Sequence, residues 1–546
     1  MRLLPPLASL LAAAALRATV LTWDTSSSPG WQVGSGGWDQ GANWSSDGLV
    51  GVGWTPGATA IFRGAVGGMA DLITLTSIVS VEGMEFGGDA GLAGAWTLRG
   101  GGLTLVPGAS CMVGPGATVV VESSVKGAAG WRKTGEGTLV LTAMNTLAGF
   151  ELAGGVLALR NLRALGSGPL SMQEGSLRLE TAGVIYNPIQ LESARTEVAF
   201  DLVAADGAPR VAILAGLVSG AGTLVKSGRG DLRLVQMNTF TGGVVVEGGM
   251  VSVTIEGSLG VGPVRLAGGG LNFASNATLA NPVALTGIGA RLGGEVNAAR
   301  QSYVAVLAGV VSGPGDLIKV GGGTVWLTAA NTYAGGTRLL EGGLIVNGSI
   351  LGPVRVLGGS LAGRGAVGSV TIAGGGSLSP GEGLGRLRME SLACESGARL
   401  VLDLWRQDLQ AGIGYDQLLV DDFIDLTGLR SDARATVALT GKLTGFDPAR
   451  AYRWPVVKYG NLRLATGTVL EDLFQFDLAQ LTDTTGRTFD PQTFRLTAEP
   501  AEQALILSYI PSIPETAGYG PRLCGGLFLL VLVARCRRRF RKHAFV

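Results

Sequence analysis

One spacing constrains this chain more than any other feature. The stretches "GWRKTGEGTLVLTAMNTLAG" from Gly130, "LVKSGRGDLRLVQMNTFTGG" from Leu224 and "LIKVGGGTVWLTAANTYAGG" from Leu317 align in constant phase. Lys133, Lys226 and Lys319 stand 93 residues apart each time, and so do Asn145, Asn238 and Asn331. The approach to the lysine also recurs, as "VSGAG" at Val218 and "VSGPG" at Val311, and Asn187-Pro188 returns as Asn281-Pro282 with a one-residue slip. Duplication of so long a unit points to copies that stack on one another.

Each copy is made of short aliphatic runs such as "TLVLT", "GVLALR", "GVVVEGG", "TVWLT" and "LIVN", cut apart by Gly, Asn and Ser. Those residues supply positive φ and local turn hydrogen bonds, so the runs read as strands between turns. Glycine reaches 90 of 546 residues without a Gly-X-Y period, while 46% of the chain is hydrophobic, which excludes both collagen and disorder. Between Asp71 and Glu395 there is no helical 3.6 period, so βαβ folds are out. Of the remaining architectures, the sandwich and the propeller fit less well than a parallel β-solenoid. The 93-residue unit divides into about four coils of about 23 residues, the scale of a three-faced turn. Glycine pairs at Gly154-Gly155, Gly242-Gly243, Gly248-Gly249 and Gly342-Gly343 mark the expected corners.

The repeats near 133–159, 226–253 and 319–346 resemble the autotransporter-associated β-strand repeat, with its Lys-x-Gly-x-Gly-x-Leu-x-Leu, Asn-Thr-Tyr-x-Gly-Gly-Thr and Gly-Gly-x-Leu elements. "WDQGANWSSDGLVGVGWTPGATAIF" is similar to the segment that precedes such repeats, and "YDQLLVDDFIDLTG" at Tyr415 to the one that follows. The resemblance implies an all-β chain folded as a right-handed parallel β-helix of the passenger type. The expected organisation is an N-terminal Trp- and Gly-rich cap over 19–68, a β-helix over 69–395 and an all-β C-terminal region over 396–512.

Both ends read as addresses. "MRLLPPLASLLAAAALRA" has the charge, apolar run and small residues of a secretory signal over 1–18. Over 513–546, Pro514-Glu515 precedes an apolar stretch from Leu523 to Ala534, then Arg535, Arg537, Arg538 and Arg539. This tail resembles the PEP-CTERM sorting signal of Gram-negative envelope proteins, with Thr516 where that signal has a second proline. The resemblance implies a short membrane anchor, the arginines cytoplasmic, and an exosortase-type processing enzyme as a partner. With both ends removed, 33 basic residues face 40 acidic ones, a body of about −7. That balance argues against nucleic acid.

Little in the body carries chemistry. The one histidine, His543, lies in the tail, so Ser-His-Asp and Cys-His arrangements and histidine metal sites are excluded there. "GRGAVG" at Gly363 precedes a strand and not a helix, so no dinucleotide site is expected, and no cofactor is. Glu136, Asp231, Glu247 and Glu341 each sit near a glycine and read as solvated corners; Asn145, Asn238 and Asn331 read as turn residues bonding their own backbone. The cluster Asp416, Asp421, Asp422 and Asp425 is a candidate for Ca²⁺ or for acid–base work. A disulfide between Cys111 and Cys394 is conceivable but spans 282 residues. Trp23, Trp31, Trp38, Trp44 and Trp54 either stack on sugar rings or cap the first coil, the cap being favoured.

The function expected from these features is non-enzymatic: an exported, membrane-anchored rod at the bacterial cell envelope, structural or adhesive, meeting exopolysaccharide or other surface proteins. The alternatives are a carbohydrate-active enzyme (polysaccharide lyase or glycosidase) or a glycan-binding protein on the same scaffold. Two or more carboxylates with an Arg or Lys in one groove would favour the enzyme.

Overall fold

The structure, a computed structural model, describes residues 19–25, 34–48, 51–63, 70–87, 94–406 and 408–511. The 1–18 segment, Trp31 and the 513–546 tail, with Pro514, Glu515 and Arg535 to Arg539, lie outside the described residues.

Alternation within each strand decides the fold. Val244 and Val246 point inward and Val245 outward, and the same pattern repeats in Val264–Leu266 and Val283–Leu285. These strands pair in parallel and in register, so Val246, Leu266 and Leu285 form one column, fully buried. Each coil leaves a row of unpaired backbone groups above and below, and its neighbours satisfy them. The result is a parallel β-helix with three sheets of 21, 18 and 9 strands.

Three faces appear in turn. The first carries Trp131–Thr134, the start of Phe150–Leu159, the start of Leu170–Leu179, Ile189–Leu191 and Val218–Ser219. The second carries Leu224–Ser227 and the strands of the column above, and the third Asp231–Leu234, Met250–Val253, Gly270–Phe273, Ala290–Gly294 and Leu317–Val320. Coils of the repeats that carry no insertion are shorter than the expected 23 residues. Successive partners of Lys226 in its column are Val246, Leu266 and Leu285, at intervals of 20, 20 and 19.

The repeat is therefore not a whole number of coils. Lys133 precedes Leu152, Met172 and Leu191 in a first-face column, whereas Lys226 follows Leu139, Leu157, Leu177 and Val198 in a second-face column. Lys319 follows Leu232, Val251, Leu271 and Leu292 in a third-face column. Each copy thus advances four coils and one further face. Two coils carry an insertion, a small hairpin closed at Val203–Pro209 and its counterpart at Val296–Ser302.

Parallel pairing does not stop at 395. Arg399–Asp403, Ala435–Leu443 and Phe474–Asp483 continue one sheet, and Gln417–Asp425 and Tyr452–Arg463 another. The lysine marker is absent from these coils and their connections are long, which hid the continuity from the sequence. Antiparallel strand pairs among the described strands occur at the ends. Val20–Trp23 meets Trp44–Ser45, and Ala504–Tyr509 meets both Tyr452–Arg463 and Phe494–Glu499.

Candidate functional site

The marker residues of the repeat prove to be braces. Lys133, Lys226 and Lys319 point inward from aliphatic columns and are fully buried. The Lys226 ammonium turns to the corner and donates to the carbonyls of Ser227 (2.7 Å), Gly228 (2.7 Å) and, one coil on, Gly248 (3.2 Å). Lys133 does the same with Thr134, Gly135 and Gly154, and Lys319 with Val320, Gly321 and Glu341. The glycine of Lys-x-Gly is required because φ there is +76°, +77° and +71°, which turns its carbonyl toward the amine. Burial lowers all three lysines to about 8.

Asn145, Asn238 and Asn331 are buried and, contrary to expectation, bond to other coils, Asn331 also donating to the Ala329 carbonyl in its own turn. The Asn238 Oδ1 accepts from the Val218 N–H of the preceding coil (2.8 Å), and its Nδ2 donates to the Ser258 carbonyl of the next (2.6 Å). Asn145 joins Val125 to Ala164 and Asn331 joins Val311 to Ser349 in the same way. A ladder of separate coils gains its cross-links here.

The tryptophans close the N-terminal end. Trp23, Trp38 and Trp44 are buried, with Trp54 partly so, at centroid separations of 4.7 to 5.2 Å around Trp44 and Trp38, and the stack passes through Phe62 to Phe86. Trp44 Nε1 donates to the Trp38 carbonyl at 2.8 Å. Rings buried against one another leave no face for a sugar, which corrects the stacking alternative at Trp23, Trp38 and Trp44.

The C-terminal acidic cluster does not converge. Both oxygens of buried Asp416 accept backbone N–H groups, from Gly385 (2.7 Å) and Asp403 (2.9 Å), and burial pushes its carboxyl up to about 8. Asp421 pairs with Arg388 at 2.8 Å, Asp422 is exposed, and Asp425 accepts from Thr427 within its own turn. Among the described residues no group of three or more His, Cys, Asp or Glu is placed to hold a metal ion. Cys111 and Cys394 are separate buried thiols, both raised to about 12 by burial.

Asp231 is the residue that sequence reasoning misplaced. It is 6% exposed rather than a solvated corner. It sits on the outer side of the third face, at the floor of a groove of about 770 Å³ that reaches from Pro209 and Val211 to Val296 and Gly322. Ser252 Oγ lies 2.9 and 2.8 Å from its two oxygens and accepts from Asn272 Nδ2 at 3.1 Å. Asn272 Nδ2 also reaches Glu295 Oε1 (2.7 Å), as does Arg233 Nη2 (3.0 Å), whose distance to Asp231 Oδ2 is 3.8 Å. Burial raises the Asp231 carboxyl. The two inserted hairpins stand at opposite corners of this face, so the groove has walls as well as a floor. The signal available in sequence was the pair of insertions, 93 residues apart.

Comparisons with known proteins agree with the repeat. Residues 132–159, 224–253 and 317–346 match the Passenger-associated-transport-repeat family. Over 281 residues, 44% of this chain and 8% of the other, the chain is 29% identical to the adhesin BmaC autotransporter of Brucella suis biovar 1 (strain 1330). Over 80 residues, 14% of this chain and 8% of the other, it is 41% identical to an extracellular serine protease of Serratia marcescens. The matches thus span less than a tenth of the length of either curated relative. The crystal structure of the Haemophilus influenzae Hap adhesin aligns over 86% of this chain and 66% of that one, at 10% identity and a TM-score of 0.24.

Proposed function

We propose that this chain is an exported, surface-displayed β-helical rod with a structural or adhesive role at the bacterial cell envelope. The observation that carries this reading is the continuous parallel stack from the tryptophan cap to Asp483, braced inside by lysine and asparagine cross-links and closed at both ends. Such a stack is stiff because each coil is held by both neighbours, and its product is an extended outer surface. The passenger-type repeats and the likeness to an adhesin support the same reading. Residues 1–18 serve as the export signal. The tail holds the chain in the membrane through the stretch before Arg535, with Pro514-Glu515 read by a processing enzyme.

Three measurements test this. Antibody labelling of intact cells of the producing bacterium should detect the body of the protein, and a deletion strain should adhere less to surfaces. Mass spectrometry of the mature C-terminus should find either Arg538 retained in the membrane fraction or the chain ending after about Glu515. A protein confined to the cytosol with residues 1–18 intact would overturn the reading.

A further inference from the structure

The groove on the third face has properties that a merely structural surface does not need. Asp231 is nine-tenths buried, and the one hydroxyl of Ser252 can donate to only one of its two oxygens. Arg233 Nε is buried without a hydrogen-bond partner. A buried carboxylate served by a single hydroxyl, and a buried guanidinium N–H without a partner, in the lining of an open groove are costly unless a ligand completes them.

The chemistry of the groove selects the ligand class. Asp231 and Glu295 balance Arg233 and Arg291, so the groove has no net charge with which to choose a polyanion or a polycation. Its backbone groups are already paired coil to coil, so it offers no edge to an added peptide strand. What it offers is planar donors and acceptors side by side: a carboxylate, a carboxamide and a guanidinium. These match vicinal hydroxyls, each of which both donates and accepts. Gly293, which faces outward beside Asn272, keeps the floor low, since a Cβ there would lie 2.8 Å from Asn272 Oδ1. The floor runs across successive coils about 4.8 Å apart, a spacing comparable to the rise of one pyranose along an extended chain.

We propose that this groove binds a neutral, hydroxyl-rich glycan chain laid along the solenoid axis, with Asp231, Arg233, Asn272 and Glu295 as its polar contacts. The proposal rests on the reading of the chain as a surface protein and names the class of partner.

Native electrophoresis of the full-length chain in gels cast with soluble neutral polysaccharides (a β-glucan, an α-glucan and a galactomannan), with a polyuronate gel alongside, tests it. At least one neutral polymer should retard the wild type. Gly293→Leu, which fills the floor, should weaken that retardation at least tenfold. Glu295→Gln, which keeps the acceptor for Arg233 and Asn272, should weaken it several-fold with an unchanged melting curve. Glu122→Gln, on a distant surface ion pair, should behave as wild type. Retardation by no neutral polymer, by the polyuronate alone, or equally in Glu295→Gln and wild type would overturn the proposal. Surface labelling and adherence that persist alongside such a result would leave the surface-protein reading standing and remove only the glycan.

Discussion

Lys226 and Lys319 hold the same position in consecutive repeats, yet Lys226 lies under Val246 on the second face and Lys319 under Leu339 on the third. The local environment is nevertheless reproduced. Each amine meets the carbonyls of its own corner and of the next coil, because the repeat encodes a corner and not an azimuth.

Lys226→Met keeps the apolar stem and removes the donor from three carbonyls, so it should cost about 1–3 kcal/mol. The pH dependence has a definite sign. Each folded-state lysine is lowered to about 8 while the unfolded one titrates near 10.5, so the unfolded chain binds more protons between those values. Stability from these groups therefore rises as pH climbs from about 8 to 10.5. Thermal melts of wild type and a triple Met variant should show that rise in the wild type only.

Asn238→Ala removes both halves of a bridge and leaves the Val218 N–H and the Ser258 carbonyl without their partner. A loss of about 1–3 kcal/mol is expected. Because coils touch only their neighbours, native-state hydrogen exchange should accelerate around 218–258 and stay unchanged near Leu344.

Asp416 runs the other way with pH. Its folded carboxyl is raised to about 8, mainly by burial, against an unfolded value of 3.8. The folded state then binds more protons across that window, and its contribution to stability falls as pH rises from about 4 to 8. Asp416→Asn should abolish this slope. It should also be less stable than wild type at pH 5, since its amide N–H₂ would face an N–H of Gly385 or Asp403. Chemical denaturation at pH 5 and pH 8 reads both effects.

Trp44→Ala should cost about 3–5 kcal/mol through the cavity it leaves among Trp23, Trp38, Trp54 and Phe62. Limited proteolysis should then open the chain from its N-terminal end, with the fragment beyond Val121 persisting longest.

The stack itself was legible in the sequence because an inward position repeats every second residue and a corner glycine follows each short run. The position of Trp23, Trp38, Trp44 and Trp54 as a cap was legible for a related reason, since large rings among small residues must cover something apolar. What could not be read was coil length. Dividing 93 by a whole number hid the extra face, and with it the fact that Asp231 and Glu295, 64 residues apart, share one surface. Asp231 looked solvated because its cover begins with Ser252 on the neighbouring coil, 21 residues on, and no local pattern encodes that.

The mismatch between repeat and coil acts like a vernier. If each copy closed on whole turns, both inserted hairpins would project from one corner, stacked in line like teeth on a comb. Shifted by a third of a circumference, they stand instead on either side of a single face, and the enclosed trough belongs to neither copy alone. Lengthening one repeat by one face, or deleting one, would rotate every later arm around the shaft and dissolve that trough without harming the column beneath it.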